Sequence, residues 1–490
     1  MHHLKAYNKN KLLFYGVILA ISIICYIAYF LYSLNFDSVK EFTTTTFILS
    51  WAGILVVIYV LSSWYCVTGN FFSLYTIFIM FFFLFNFGQP LMWAFGIHQS
   101  NEIGATTLYT MGMPSTGSIA YTQVLTLISI IMFHFGAVFC YKPENKKKTN
   151  DNLTIMNAKI NSKSIFYTCL IISLFVIPIT FFNSIYDLIF SQSHGYGALY
   201  YDNSKVNIRV FNLLSRMFFP CLVGLLIGSN FHKGTRNFVY AVFFLHLFIN
   251  LLSGDRGSWV YDLVLLIFIR HAFYKKVRWK QMLLGTGVFI VFLYLVQVIV
   301  KLRSRAGITF ANVKESFTFN NSPIVDFIFE MGGSMRPTLV LIQYDWDIWP
   351  YINSYVISFI GLMPEKIINL LGIPYNILTS WFSQDYLGIS YGAGFSIVAE
   401  SLINYGPIFA PLVMIAIGFI IASLTYLHKN YNSKENALKI FFAVSTMSSI
   451  IHMTRGHLQH SLNVWFYSVL VLLILIYFMR KYLRSKIGKI

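Results

Sequence analysis

The sequence predicts an all-α, polytopic integral membrane protein of about 12 transmembrane helices, and three observations carry that prediction. Hydrophobic residues make up 57% of the 490 positions, aromatic ones 18% and charged ones only 11%, too little polar surface to cover a water-soluble core of this size. Apolar runs of about 20 residues, the length that crosses a hydrocarbon layer about 30 Å thick, recur along the chain. Lysines and arginines collect in alternate connections between those runs.

In order, the runs lie at approximately 12 to 34, 46 to 65, 71 to 95, 119 to 141, 164 to 190, 210 to 229, 238 to 252, 258 to 273, 282 to 300, 395 to 427, 440 to 453 and 461 to 479. The first is longer than the apolar core of a signal peptide, and no small-x-small cleavage site follows it, so it reads as a retained span. His134 and His246, within the fourth and seventh runs, are expected to hydrogen-bond neighbouring helices. With the N-terminus in the cytoplasm, the inner segments gather two thirds of the 36 Lys and Arg residues against Glu144, Asp151 and Glu435, so both termini are expected to be cytoplasmic. The net charge of +18 then reports topology and attraction to anionic lipid. Nucleic acid is not an expected partner, since that would need a soluble basic domain. Cys25, Cys66, Cys140, Cys169 and Cys221 sit in or at the ends of apolar runs without paired spacing and read as small core residues. Three parts follow: helices one to nine over 1–300, an outer loop with short interfacial or re-entrant helices over 301–394, and helices ten to twelve with a cytoplasmic tail over 395–490.

Residues 238 to 252 and 258 to 269 would make helices only about 22 and 18 Å long. The turn between them, Ser253-Gly254-Asp255-Arg256-Gly257, is therefore expected below the outer surface, on the floor of a water-filled pocket. The run 440 to 453 is also short and brings Arg455 to a similar depth. Arginine held at bilayer depth costs about 2.5 to 3.5 kcal/mol and defaults to a functional role. The competing structural reading pairs Asp255 with Arg256 and makes Arg455 a helix cap. A guanidinium fork forms two parallel bonds to phosphate oxygens, as a diphosphate needs, and such chemistry requires no metal.

Further groups lie along the outer loop. Lys301, Arg303 and Arg305 form a cluster that either snorkels to lipid headgroups or guides an anionic lipid-linked substrate. The segment Ile324 to Ile342 carries Glu330, a Gly332-Gly333 pair and Arg336-Pro337, which predict two short helical pieces with Ser334 as cap and an open helix start beside Arg336. An ion pair between Glu330 and Arg336 is the alternative. Asp345 and Asp347 have the spacing of a metal-binding pair, but they lie outside while nucleotide sugars are cytoplasmic. Glu400, near the outer end of the tenth run, is a candidate general base or an ion-pair partner for an arginine. His457 and His460 are the other base candidates; two histidines lack the third ligand of a catalytic zinc.

The string around Arg256, the Glu330-to-Pro337 segment, Gly392-Ala393-Gly394 leading to Glu400-x-x-x-Asn404-x-Gly406, and Arg455 at the last outer turn together resemble the bacterial O-antigen polymerases, the Wzy family. The resemblance covers the chain from about residue 160 onward. It implies a glycosyltransferase of the all-helical GT-C class in the bacterial inner membrane, acting on the periplasmic face without a cofactor. Such an enzyme passes the growing glycan from undecaprenyl diphosphate to the non-reducing end of an incoming lipid-linked repeat unit, and a chain-length-regulating co-polymerase is an implied partner. Mapped onto this chain, Arg256 and Arg455 hold the leaving diphosphate and Glu400 or His457 acts as base. Arg336, Lys301, Arg303, Arg305, Glu330, Asp255, Tyr391 and His460 line the substrate path. An O-antigen ligase or a flippase of lipid-linked oligosaccharide is the alternative; the flippase predicts related halves, which the sequence does not show.

Overall fold

The computed structural model describes residues 2–34, 46–140, 152–194, 208–253, 258–278, 322–425 and 436–487, with isolated positions between 280 and 294. All regular elements among the described residues are helices. They are α1 (His2–Ser33), α2 (Thr46–Thr68), α3 (Leu74–Trp93), α4 (Thr116–Cys140), α5 (Asn152–His194), α6 (Arg209–Gly228), α7 (Lys233–Ser253), α8 (Ser258–Ile269), α9 (Pro323–Gly332), α10 (Arg336–Gln343), α11 (Ser354–Ile360), α12 (Ile397–Thr425), α13 (Ala437–Ile450), α14 (Leu458–Trp465) and α15 (Val471–Ile487). Shorter helical turns connect some of them.

Ten segments among the described residues are long and apolar enough to cross a membrane, against the twelve expected. The eighth run forms the 12-residue α8, continued by a π-helical turn Arg270–Tyr274. The ninth, 282 to 300, lies almost wholly outside the described residues. One length expectation is corrected: α7 has 21 residues, about 31 Å, because the helix extends through the polar Lys233–Arg236 turn that hydropathy alone trims away. Only α8 is short.

The chain forms two units. The first comprises Met1–Asn145, Ile328–Lys429 and Ile451–Leu462. Within it α3 and α4 are buried along most of their length, while α1 and α2 expose most of theirs. Small residues let α4 and α12 meet backbone to backbone: a Cβ on Gly136 would lie 2.1 Å from the Ile415 carbonyl oxygen, and one on Gly418 2.0 Å from that of Phe133, so any side chain would force the helices apart. His134 does bridge helices, with Nε2 2.8 Å from Ser63 Oγ on α2 and Nδ1 2.6 Å from Tyr75 OH on α3.

The second unit comprises Lys146–Phe327, Asn430–Ile450 and Asn463–Ile490. Gly224 and Gly228 bring α6 against α5, where a Cβ would come 2.2 Å from Cys169 Sγ and 2.6 Å from the Phe166 nitrogen. Ser448 Oγ on α13 donates to Asp262 Oδ1 on α8 at 2.9 Å. His246 bonds Asn250, one turn on in its own helix, at 3.1 Å.

Candidate functional site

After α13 the chain tightens into a 3-10 turn, Ile451–Arg455, and α14 begins at Leu458. Arg455, at the end of that turn, is exposed. Its guanidinium rests on an apolar shelf: Nη1 is 3.9 Å from Met331 Sδ on α9, and Cζ is 5.7 Å from the centre of the Phe85 ring on α3. A thioether is a weak acceptor and an aromatic face takes only a soft contact, so among the described residues most of the five N–H donors have no strong acceptor. Among the described residues no carboxylate pairs with Arg455. Nor does its side chain cap the preceding helix, since its contacts are to those two side chains.

The turn itself is held from two sides. From α3, Asn86 Nδ2 donates to the Thr454 carbonyl at 3.0 Å and to the Phe82 carbonyl at 3.0 Å. From α12, Glu400 Oε2 accepts the Leu458 backbone N–H at 2.7 Å. That N–H is one of the orphan donors at a helix start, where a carboxylate is also favoured by the dipole. The other oxygen, Oε1, accepts the Ser354 hydroxyl at 2.9 Å. Asn404, one turn further on α12, donates to Ser354 Oγ at 2.7 Å and accepts the Ser354 N–H at 2.7 Å. Glu400 is thus fully buried with both oxygens engaged. Gly406 ends this stretch in the left-handed region, φ 71°, with Trp346 packed where a Cβ would point, so α12 kinks there before Pro407.

His457 lies inside the turn, 7% exposed. Burial, and after it the charge of His460, lowers its imidazole to about 3, so it is neutral at physiological pH. His460 is exposed, with its ring edge to face with that of His452 at 5.7 Å.

The segment bearing Met331 approaches α3 through two glycines. A Cβ on Gly332 would lie 2.4 Å from the Gln89 nitrogen, and one on Gly88 2.9 Å from the Ile328 carbonyl oxygen. Gln89 clamps the same contact, donating to the Phe329 carbonyl at 3.0 Å and accepting the Ile103 N–H at 2.9 Å. The two helical pieces α9 and α10 are present, but a 3-10 turn, Gly333–Met335, joins them with helical dihedrals throughout. Met335 rather than Ser334 precedes α10, and the Arg336 N–H already donates to the Gly333 carbonyl. The expected open helix start is therefore not formed, and of the glycine pair Gly332 serves close packing instead of a break.

Arg336 belongs to a different neighbourhood. Its Nη2 donates to the Asn101 carbonyl at 2.8 Å, and its Nε is buried with no partner among the described residues. Among the described residues no ion pair joins Glu330 to Arg336, the alternative the sequence offered. Tyr109 OH, nearby, donates to the Ala393 carbonyl at 2.7 Å; burial raises its phenol while the Arg336 charge acts the other way. Tyr391 is exposed beside this loop.

The structure therefore gathers Arg455, His457 and Glu400 at one turn, with His460 one turn along α14 and Glu330 adjacent to Met331. Arg336 and Tyr391 form a second group. Asp255, Arg256, Lys301, Arg303 and Arg305 lie outside the described residues. Sequence reading missed Phe85, Asn86, Met331 and Ser354; the one signal was the polar Asn86-x-x-Gln89 pair inside an apolar run. Asp345 and Asp347 are exposed and joined only by the Asp347 N–H to Asp345 Oδ1, 3.0 Å. Among the described residues no three His, Cys, Asp or Glu side chains are grouped to hold a metal.

The model of one protein family, described as O-antigen polysaccharide polymerase Wzy, matches residues 12–486, nearly the whole chain. Neither the curated proteins nor the solved structures yielded a match.

Proposed function

We propose a reaction from one premise: this chain belongs to the O-antigen polysaccharide polymerase Wzy family. It is a multi-pass inner-membrane protein of a family that polymerises lipid-linked oligosaccharides. In the reading we favour, both termini are cytoplasmic and the site opens to the periplasm. The hydroxyl oxygen at the non-reducing end of an incoming repeat unit bonds to the anomeric carbon of the growing glycan. The bond from that carbon to undecaprenyl diphosphate breaks, the diphosphate leaves with the electron pair, and a base takes the hydroxyl proton.

Arg455 and Arg256 neutralise the departing diphosphate, each contributing a few kcal/mol where water is excluded. Asp255 is assigned to substrate binding. Lys301, Arg303, Arg305 and Arg336 draw in the anionic headgroup, and Glu330, Tyr391 and His460 contact the glycan. Glu400 has both oxygens in use, so the proton goes to neutral His457 and on through exposed His460. The observation that carries the reading is the Arg455 guanidinium, exposed, laid on Phe85 and Met331 and without a carboxylate among the described residues. A permanently paired structural arginine would not be left so.

The test supplies purified protein with a lipid-linked repeat unit and resolves the products on a gel. A ladder of regularly spaced glycans is expected. Single transfer to lipid A core, or movement of the substrate across vesicles with no new glycosidic bond, would replace this reading by ligase or flippase.

A further inference from the structure

We infer that Asn86 is a positioning residue for the diphosphate-binding arginine, fixing the Arg455 turn from α3 through the Thr454 carbonyl. This rests on the role of Arg455 proposed above. Asn86 is 1% exposed in a helix that is otherwise almost wholly apolar. Its Nδ2 hydrogens go to Phe82 and Thr454, while Oδ1 is buried with no partner among the described residues. An orphaned buried acceptor destabilises the fold, so packing alone would favour leucine at this position. What asparagine supplies is the bond to the turn. Within the turn Thr454 Oγ1 donates to the Ile451 carbonyl at 2.7 Å, while at its exit the Gly456 N–H reaches the Met453 carbonyl at 3.4 Å. Its place is set by Asn86 on one side and Glu400 on the other. Phe85, the neighbouring residue on α3, lies under the guanidinium, so adjacent residues of one helix fix the backbone and the side chain of the same arginine. A shift of about 1 Å in a group that meets the transition state is enough to cost about 100-fold in rate.

The experiment is a double-mutant cycle in the full-length protein, with kcat and KM measured on the lipid-linked repeat unit. Asn86→Leu is expected to lower kcat about 100-fold with KM little changed and the melting temperature little changed, the loss of the orphaned Oδ1 offsetting the stranded Thr454 carbonyl. In an Arg455→Ala background the same substitution should cost less than about 3-fold, since the residue it positions is gone. Wild-type kcat in Asn86→Leu, or an equal loss in both backgrounds, overturns the inference while leaving the role of Arg455 intact. Wild-type turnover in Arg455→Ala overturns both. If Asn86→Leu does not purify as a monodisperse protein, Asn86→Asp replaces it. Only a protonated carboxyl can donate to the Thr454 carbonyl, so turnover relative to wild type should fall as pH rises; a flat profile at the wild-type level overturns the inference.

Discussion

The Glu400 carboxylate, on α12, accepts the backbone N–H of Leu458 at 2.7 Å and so anchors α14 two residues beyond His457-side Gly456. Its second oxygen is taken by Ser354. This arrangement separates two roles that a sequence cannot. A general base needs a free lone pair directed at substrate, whereas an anchor needs both oxygens where they are.

Glu400→Gln keeps an acceptor for Leu458 and is expected to retain turnover within about 10-fold of wild type. Glu400→Ala strands two buried donors, each at about 1 to 3 kcal/mol, and should lower the melting temperature clearly. Turnover abolished in Glu400→Gln with an unchanged melting temperature would return the carboxylate to the role of base.

Arg455→Lys keeps a positive charge but cannot form two parallel bonds to a diphosphate. We expect kcat to drop by about 100- to 1000-fold with the protein still folded, because the side chain makes only soft contacts to Phe85 and Met331. The check is the glycan ladder together with size-exclusion behaviour in detergent. A ladder of normal length and rate in Arg455→Lys would remove Arg455 from the mechanism.

Much of the fold was legible because membrane spans are written in composition: ten apolar runs reappear as helices long enough to cross a membrane, and the glycine pair at 332–333 does mark a change of helix type. Helix lengths were less legible. Hydropathy stops at Phe238, but α7 begins at Lys233, since backbone hydrogen bonding continues through charged residues. At the site, Arg455, Glu400 and His457 stood out as polar residues in apolar surroundings. Their relation did not, because the bond between Glu400 and Leu458 joins positions 58 residues apart and one partner is a backbone N–H with no sequence signature. Asn86 and Phe85 were hidden for the same reason: what they touch is a carbonyl and a guanidinium brought from more than 360 positions away.

Gly332 and Gly333 are neighbours with opposite expectations. A Cβ at Gly332 would meet the Gln89 backbone nitrogen at 2.4 Å, whereas nothing lies within 4 Å of one at Gly333. Gly332→Ala should push α9 off α3 at about 1 to 3 kcal/mol and lower turnover, because Met331 moves with it. Gly333→Ala should be neutral or slightly stabilising. Equal melting temperatures for the two variants would mean that α9 does not pack on α3 at Gly88.

His457 makes stability depend on pH with a definite sign. In the fold its imidazole is lowered to about 3, by burial first and by the His460 charge second, from an ordinary 6.5. Between those values the unfolded chain binds more protons than the folded one, so stability is fully present above about pH 6.5 and is lost as pH falls toward 3. The slope from this residue is at most about 1.4 kcal/mol per pH unit. His457→Gln should therefore reduce the fall in melting temperature between pH 7 and pH 4.5, while removing the proposed proton acceptor and slowing turnover at pH 7. A variant with the same acid sensitivity as wild type would show that His457 is not buried as a neutral ring, and with it would go the reason for choosing this side chain over Glu400 as the base.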